Sequence, residues 1–183
     1  GSGSIFHKLF QSQEQRQTGF TEKTANEIVK AAFELGKTKT GALVVIENMN
    51  SLEDIERTGI AIDGIVSSQL LVNIFEHNTP LHDGAVVVRG NLITAATCYL
   101  PLSDNMNISK SYGTRHRAAL GISEVTDAVT VVVSEETGNV SLAECGQLTV
   151  MKDADQLREE LNRLVDSTSK KESFISILRN KKQ

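Results

Sequence analysis

The amino-acid sequence indicates an α/β protein, a single globular domain with a central mixed β-sheet flanked by helices. Short β-branched runs of strand length, such as 42–46 and 128–134, alternate with amphipathic stretches of helical period. The length of 183 residues suits one domain with its own core. The composition, 39% apolar and 23% charged, is typical of a folded chain rather than a disordered one.

The helices are predicted from apolar residues spaced three and four apart. In the first helix Thr24 and Glu27 fit a capping box, and Gly36 is a natural stop. Asp153 caps the last helix, whose inward residues begin with Leu157. The predicted helices cover residues 21–35, 52–57, 68–76, a stretch from about 114, and a stretch after 153.

The strands are predicted from β-branched runs between turn residues. Gly90-Asn91 is a two-residue hairpin signal between two such runs. Residues 102–113 are polar and predict a loop, and 135–139 predict a turn. The predicted strands cover residues 42–46, 60–62, 85–89, 92–99, 128–134, 140–143 and 148–151.

Charge, hydropathy and cysteine usage exclude several classes of protein. A formal net charge of −4 argues against general coating of nucleic acid, and we expect no nucleic-acid partner. No apolar run approaches the roughly 18 residues that span a bilayer. Cys98 and Cys145 form no zinc or CxxC pattern, so both are predicted to be buried, reduced thiols.

The two ends of the chain differ from the middle. Gly-Ser-Gly-Ser at 1–4 is interpreted as a cloning remnant, so the natural chain is expected to continue upstream. Residues 5–20 form a mixed N-terminal segment in which a short helix could lie. The domain is predicted over 21–166, followed by a polar tail at 167–183.

The first candidate site is the segment His82-Asp83-Gly84-Ala85, at the start of a predicted strand. A carboxylate there can bind a divalent cation or accept a hydroxyl proton, and Gly84 lets a ligand approach the backbone. An Asp-Gly turn with a solvated acid explains the same residues. His82 beside Asp83 also suggests a metal phosphohydrolase, but that chemistry needs further clustered ligands, which the sequence does not offer.

The second candidate site is the segment Gly113-Thr114-Arg115-His116-Arg117, where a helix is predicted to begin. Cations at this end oppose the helix dipole unless an anion lies there. Backbone N–H groups, the Thr114 hydroxyl and the guanidinium groups would then converge on a phosphate. The alternative is that one arginine pairs with a nearby carboxylate and the others are solvated.

Two further pairs of residues lie at predicted strand ends. Ser134 and Glu136 follow a buried strand, where a hydroxyl can touch phosphate and a carboxylate can hold a metal, or where both belong to a polar turn. Tyr99 and Leu100 end another strand. Because aromatic residues make up only 4% of the chain, Tyr99 is one of few side chains able to stack on a base.

The two segments together, Asp83-Gly84-Ala85 and Gly113 to Arg117 about thirty positions later, resemble the paired signature of the diadenylate cyclase domain. The resemblance covers about residues 21–165. The chain is similar to the catalytic part of the membrane-anchored type, in which transmembrane helices precede the domain. The resemblance therefore implies the diadenylate cyclase fold and a location at the cytoplasmic face of the bacterial membrane.

The resemblance also implies an activity and residue roles. The reaction is condensation of two ATP into cyclic di-AMP with release of two pyrophosphates, with Mn²⁺ or Mg²⁺. Carried over by position, Asp83 helps activate the 3′-hydroxyl, directly or through the metal, and His82, Asp83 and Glu136 are candidate metal ligands. The remaining implied contacts are Gly84 and Ala85 along the ribose and phosphate path, Gly113, Thr114, Arg115, His116, Arg117 and Ser134 at the phosphates, and Tyr99 and Leu100 at adenine.

The expected partners follow from the same resemblance and from geometry. One site holds one ATP, yet each 3′-hydroxyl must attack the other nucleotide, so two copies must face each other in a homodimer or higher homo-oligomer. A YbbR-domain regulator and phosphoglucosamine mutase are partners implied by the family. The alternative function is a non-catalytic adenine-nucleotide sensor that uses the same anion pocket.

Overall fold

The computed structural model describes residues 19–165, so the predictions for 1–18 and 166–183 lie outside it. The helices are α1 (Glu22–Lys37), α2 (Glu53–Glu56), α3 (Ser68–Phe75), α4 (Thr114–Val125) and α5 (residues 154–165). The strands are β1 (Ala42–Ile46), β2 (Ile60–Ile65), β3 (Ala85–Arg89), β4 (Leu92–Cys98), β5 (Val129–Val133), β6 (Val140–Glu144) and β7 (Gln147–Val150).

All seven strands join one sheet in the order β2-β4-β3-β1-β5-β6-β7. β1 and β3 run parallel, with Val44 opposite Val86, and every other pair is antiparallel. The predicted mixed sheet is therefore confirmed, and the hairpin at Gly90-Asn91 joins β3 to β4 as expected.

Helices cover both faces of the sheet, so the central strands are buried on both sides. In β1, Val44 and Ile46 pack on the face covered by α1, α3 and α5, whereas Leu43 and Val45 pack on the face covered by α2 and α4. This double burial explains why the central strands read as continuous apolar runs in the sequence.

The strand directions bring four chain segments to one edge of the sheet. Because β1 and β3 are parallel, the residues before both strands lie at that edge. β5 and β4 run the other way, with Val133 opposite Ala42 and Cys98 opposite Ala85, so their C-terminal ends arrive at the same edge. The first candidate segment, which precedes β3, and the two pairs at strand ends, which follow β4 and β5, therefore lie at this edge.

Three local predictions are corrected by the structure. The N-cap of α1 is Thr21, whose Oγ1 accepts a hydrogen bond from the Thr24 backbone N at 3.2 Å, so the capping box assigned to Thr24 and Glu27 is wrong. Gly36 lies inside α1, which continues to Lys37. Cys98 is buried as expected, but Cys145 is exposed, because it lies in the tight turn between β6 and β7.

Candidate functional site

A small polar pocket opens at the N-terminus of α4, beside the turn that follows β5. Its cavity volume is about 40 Å³. It is lined by Ser111, Gly113, Thr114, Arg115, His116, Val133, Ser134, Glu135 and Glu136. Five of the six predicted phosphate contacts are therefore brought together here with Glu136: Gly113, Thr114, Arg115, His116 and Ser134.

A larger, mostly apolar cleft lies next to this pocket. Its cavity volume is about 340 Å³, within the range of small-ligand sites. It is lined by Leu43, Asp83, Gly84, Cys98, Tyr99, Leu100, Leu102, Thr114, Arg115 and Ala118. Asp83 of the first candidate site and Thr114 and Arg115 of the second thus line the same cleft.

Arg115 and Thr114 line both the polar pocket and the apolar cleft. The Arg115 side chain is 23% exposed, and its Nη1 lies 3.2 Å from a carboxylate oxygen of Glu135. The alternative expectation, that one arginine pairs with a nearby carboxylate, is thus met at Arg115. A part-buried guanidinium at this junction can bind a charged group that extends from one space into the other.

The N-terminus of α4 lacks a side-chain cap. Gly113 is the N-cap residue and contributes no capping hydrogen bond, and the first turn contains no acidic residue. Free N–H groups and the helix dipole make this end electropositive. An anion in the polar pocket would be stabilised by both.

The turn after β5 supplies hydroxyl and carboxylate groups to the polar pocket. Ser134 Oγ accepts hydrogen bonds from the backbone N atoms of Glu136 and Thr137, each at 3.2 Å. Its hydroxyl hydrogen can then be donated to an anion in the pocket. Glu136 is exposed at the pocket wall.

His116 is only 6% exposed, and its ring stacks on Tyr112 with centroids 4.6 Å apart. Burial and the neighbouring Arg115 charge lower the pKa of His116 below its usual 6.5, against an opposing effect of Glu136. The ring is therefore neutral near pH 7 and can donate one hydrogen bond, but it adds no positive charge to the pocket.

Asp83 and Gly84 of the first candidate site lie at the rim of the apolar cleft. Asp83 is exposed, and its Oδ1 accepts a hydrogen bond from the Gly84 backbone N at 3.0 Å. Gly84 has φ +80°, and a Cβ there would lie 2.9 Å from the Cys98 carbonyl O, so glycine is required. Burial and Glu56 raise the pKa of the Cys98 thiol to about 11, so it lines the cleft as an apolar group.

Three predicted site residues line neither space. Ala85 is fully buried as the first residue of β3. His82 Nδ1 lies 2.5 Å from the Thr79 carbonyl O. Arg117 accepts a hydrogen bond at its carbonyl from the Ser103 backbone N at 3.0 Å. Direct ligand roles for these three residues stay predictions.

Residues 19–165 contain no group of three or more His, Cys, Asp or Glu side chains that could hold a metal ion. His82, Asp83 and Glu136 therefore do not form one ligand cluster. Mg²⁺ is commonly held by one or two carboxylates together with substrate phosphates. The exposed Asp83 and Glu136 carboxylates fit that arrangement.

Several lining residues escaped the sequence analysis. Leu43, Leu102 and Ala118 supply apolar walls of the cleft, and Glu135 pairs with Arg115. In the sequence, Leu43 and Ala118 have the pattern of ordinary core residues, and Leu102 belongs to a predicted polar loop. Pairing of one arginine with a carboxylate was predicted only as an alternative, without the identity of the carboxylate.

Comparisons with known proteins agree with this geometry. Residues 29–148 match the family described as DAC, DisA bacterial checkpoint controller nucleotide-binding. The chain is 46% identical over 177 residues to a diadenylate cyclase of Listeria monocytogenes, and 49% identical over 161 residues to the cyclic di-AMP synthase CdaA of Bacillus subtilis. These matches cover 96% and 88% of this chain but only 63% and 58% of the relatives.

A shorter relative and two solved structures extend the comparison. The diadenylate cyclase of Mycoplasma pneumoniae is 37% identical over 85% of this chain and 76% of its own length. A crystal structure of a double mutant of DacA from Staphylococcus aureus has 48% identity and a TM-score of 0.76, covering 79% of this chain and 96% of that one.

The second structure is described as a hypothetical membrane spanning protein from Bacillus cereus. It has 42% identity and a TM-score of 0.69, over 71% of this chain and 64% of that one. Within residues 19–165 of the present chain, no helix has the length and hydropathy needed to cross a membrane. The family match, the sequence relatives and the shared fold all point to the same family, so the chain belongs to the diadenylate cyclase (DAC) domain family.

Proposed function

We propose that this chain is a diadenylate cyclase that condenses two ATP into cyclic di-AMP and releases two pyrophosphates. The observation that carries the proposal is that Arg115 and Thr114 border both the apolar cleft and the polar pocket. An adenine base can pack among Leu43, Leu100 and Tyr99 in the cleft while the triphosphate reaches the start of α4. Membership of the DAC family and the names of the relatives support the same reaction.

Each half of the proposed reaction forms one phosphodiester. The 3′-hydroxyl oxygen of one ATP forms a bond to the α-phosphorus of the other, and the bond from that phosphorus to the oxygen bridging to the β-phosphate breaks. Pyrophosphate leaves with the bonding electron pair, and the hydroxyl proton passes to a base. Catalysis of such transfers depends mainly on positioning and charge stabilisation.

The described residues can meet these needs. Asp83 lies at the cleft rim and is the proposed acceptor of the hydroxyl proton. Arg115 provides positive charge at the triphosphate, while Thr114 and Ser134 can donate hydrogen bonds. The neutral His116 ring is proposed to donate one more.

A divalent ion, Mn²⁺ or Mg²⁺, is proposed as cofactor and would be held by Asp83 and Glu136 together with triphosphate oxygens. When bound it would offset negative charge on the phosphates and the leaving pyrophosphate. Direct ligand roles for His82, Ala85 and Arg117 stay predictions from the family resemblance, because none of the three lines either space. A homodimer, a YbbR-domain regulator, phosphoglucosamine mutase and the membrane location also stay predictions from the family.

The direct experiment is incubation of the chain with ATP and Mn²⁺, followed by mass spectrometry of the products. We expect cyclic di-AMP and pyrophosphate in a ratio of one to two. ATP that binds but stays intact would favour the sensor function instead. Release of AMP or inorganic phosphate without cyclic product would favour a phosphohydrolase.

Asp83→Asn tests the assigned base. The amide keeps the size of the side chain but cannot accept the proton, so we expect product formation to fall by at least about 100-fold. ATP binding, measured by calorimetry without a divalent ion so that the proposed metal-ligand role of Asp83 does not contribute, should persist because the cleft walls are unchanged. Asp63→Asn is the matched control, since Asp63 is an exposed aspartate on β2 outside both spaces and should leave the rate unchanged. Full product formation by Asp83→Asn would contradict the assignment.

A further inference from the structure

Gly41, the residue before β1, lies directly against the guanidinium of Arg115. A Cβ at position 41 would be 2.5 Å from Nη1, 2.6 Å from Cζ and 2.9 Å from Nε of Arg115. The φ of Gly41 is outside the left-handed region, so its backbone conformation is open to other residues. The close approach of Arg115 is therefore what requires a glycine here.

The same guanidinium is paired with Glu135, whose carboxylate oxygen lies 3.2 Å from Nη1. The Arg115 guanidinium is thus close to both the Gly41 backbone and the Glu135 carboxylate, at the junction of the polar pocket and the apolar cleft. A long, flexible side chain needs such restraint to present its planar donors in one orientation.

We propose that Gly41 is a positioning residue, whose missing side chain keeps the Arg115 guanidinium at the junction where the triphosphate passes from cleft to pocket. The identity of the bound group rests on the proposed function. Gly41 itself contacts Arg115 rather than the reacting atoms.

The chemistry of the contact predicts an unusual mutant. In Gly41→Ala the atoms that clash with the new Cβ are the end of a flexible side chain, so the guanidinium moves and the backbone stays. We expect a melting temperature within about 3 °C of the wild type. Because Arg115 is displaced, kcat/KM for ATP should fall on the order of 10- to 100-fold, with KM raised.

Gly64→Ala is the matched control. Gly64 lies on β2, and a Cβ there would come within 3.1 Å of only the flexible end of Leu70. This variant carries the same substitution away from both spaces and should keep wild-type kcat/KM. If Gly41→Ala has the same kcat/KM as the wild type, the proposal is overturned.

A double-mutant cycle separates positioning from general damage to the fold. In an Arg115→Ala background no guanidinium remains to be displaced, so adding Gly41→Ala should change kcat/KM less than two-fold. A purely structural role for Gly41 would give the same fold-loss in both backgrounds and would overturn the proposal.

A readout without turnover distinguishes this inference from the proposed function. The NMR resonance of the Arg115 Nε–H, assigned by its loss in Arg115→Lys, should shift in Gly41→Ala and stay unchanged in Gly64→Ala. If the wild type makes no cyclic di-AMP but this shift occurs, the positioning of Arg115 is supported and the proposed function fails. An unchanged resonance in Gly41→Ala overturns the positioning.

Discussion

His116 and Arg115 are consecutive residues with different electrostatic roles. Arg115 keeps about a quarter of its side chain in contact with solvent and pairs with Glu135. His116 is buried beneath Tyr112, and burial together with the Arg115 charge lowers its pKa. Of these two residues, Arg115 therefore supplies the positive charge at the start of α4, while the neutral His116 ring supplies packing and one hydrogen-bond donor.

The lowered pKa of His116 predicts how stability depends on pH. The unfolded chain takes up a proton near pH 6.5, whereas the folded chain does so only at lower pH. Between these two values the unfolded state binds more protons, so the free energy of unfolding falls as pH drops below 6.5 through the folded pKa. Above that window this residue contributes no pH dependence.

Urea denaturation at several pH values measures this effect. His116→Gln should show a weaker loss of unfolding free energy on acidification than the wild type, because the desolvated titrating ring is gone. His77→Gln, at an exposed histidine, is the control and should follow the wild type. Equal pH profiles for His116→Gln and the wild type would show that the ring is not desolvated.

Helix α4 and the segment from Pro101 to Ser103 form one unit that shapes the cleft. The Ser103 backbone N donates to the Arg117 carbonyl at 3.0 Å, and Ser103 Oγ donates to Glu124 at 2.5 Å. The segment crosses α4 where a Cβ on Gly121 would lie 1.9 Å from the Pro101 carbonyl O. Leu102, in this segment, lines the apolar cleft together with Thr114, Arg115 and Ala118 of α4.

Gly121→Ala is predicted to separate these two elements. Alanine favours the helix by about 0.5–1 kcal/mol, but the clash is with backbone and should cost more. We expect a net loss of about 1–3 kcal/mol in the free energy of unfolding, measured by urea denaturation, and weaker ATP binding.

Gly41→Ala provides the contrast, since its clash is with a flexible side chain and its stability should hold. If Gly121→Ala proved as stable as the wild type, the segment would be free to move away from α4.

The sheet as a whole assembles the site from distant parts of the chain. The parallel pairing of β1 with β3 and the antiparallel pairing of β1 with β5 bring Gly41, Asp83 and Ser134 to one edge. A single copy of this edge presents one cleft and one polar pocket built around Arg115. For the proposed reaction we predict that a second copy must face this edge, because each ATP must supply both an attacking hydroxyl and a leaving group.

The dependence of rate on protein concentration tests this pairing. If two copies must face each other, the rate of cyclic di-AMP formation should fall faster than linearly on dilution through the dissociation range. Analytical ultracentrifugation of the same samples defines where monomers dominate. A rate that stays proportional to protein concentration among monomers would contradict catalysis between two copies.

Some features were predictable because they depend on neighbours in the chain. The β-branched run of β1, the Gly90-Asn91 turn and the basic start of α4 carry local signals, and each was confirmed. The capping box predicted at Thr24 was wrong. Thr21 and Thr24 are three residues apart and either hydroxyl could cap the helix N-terminus, but the extended backbone of an N-cap residue is found at Thr21. Cys145 was misjudged because the predicted strands on either side, 140–143 and 148–151, drew attention away from the tight turn between them.

Asp83 and Arg115 were predicted as site residues from a strand start and a helix start, which follow from local patterns of hydrophobicity, and from the family resemblance. The structure places both residues at one cleft. The pairing of Gly41 with Arg115, the Glu135 ion pair and the apolar walls at Leu43 and Leu102 had no local signal. They depend on strand order and direction in the folded sheet, which bring together residues as far apart as 41 and 115. Such contacts exist only once the chain has folded, since sheet pairing acts over distances in sequence that no local pattern encodes.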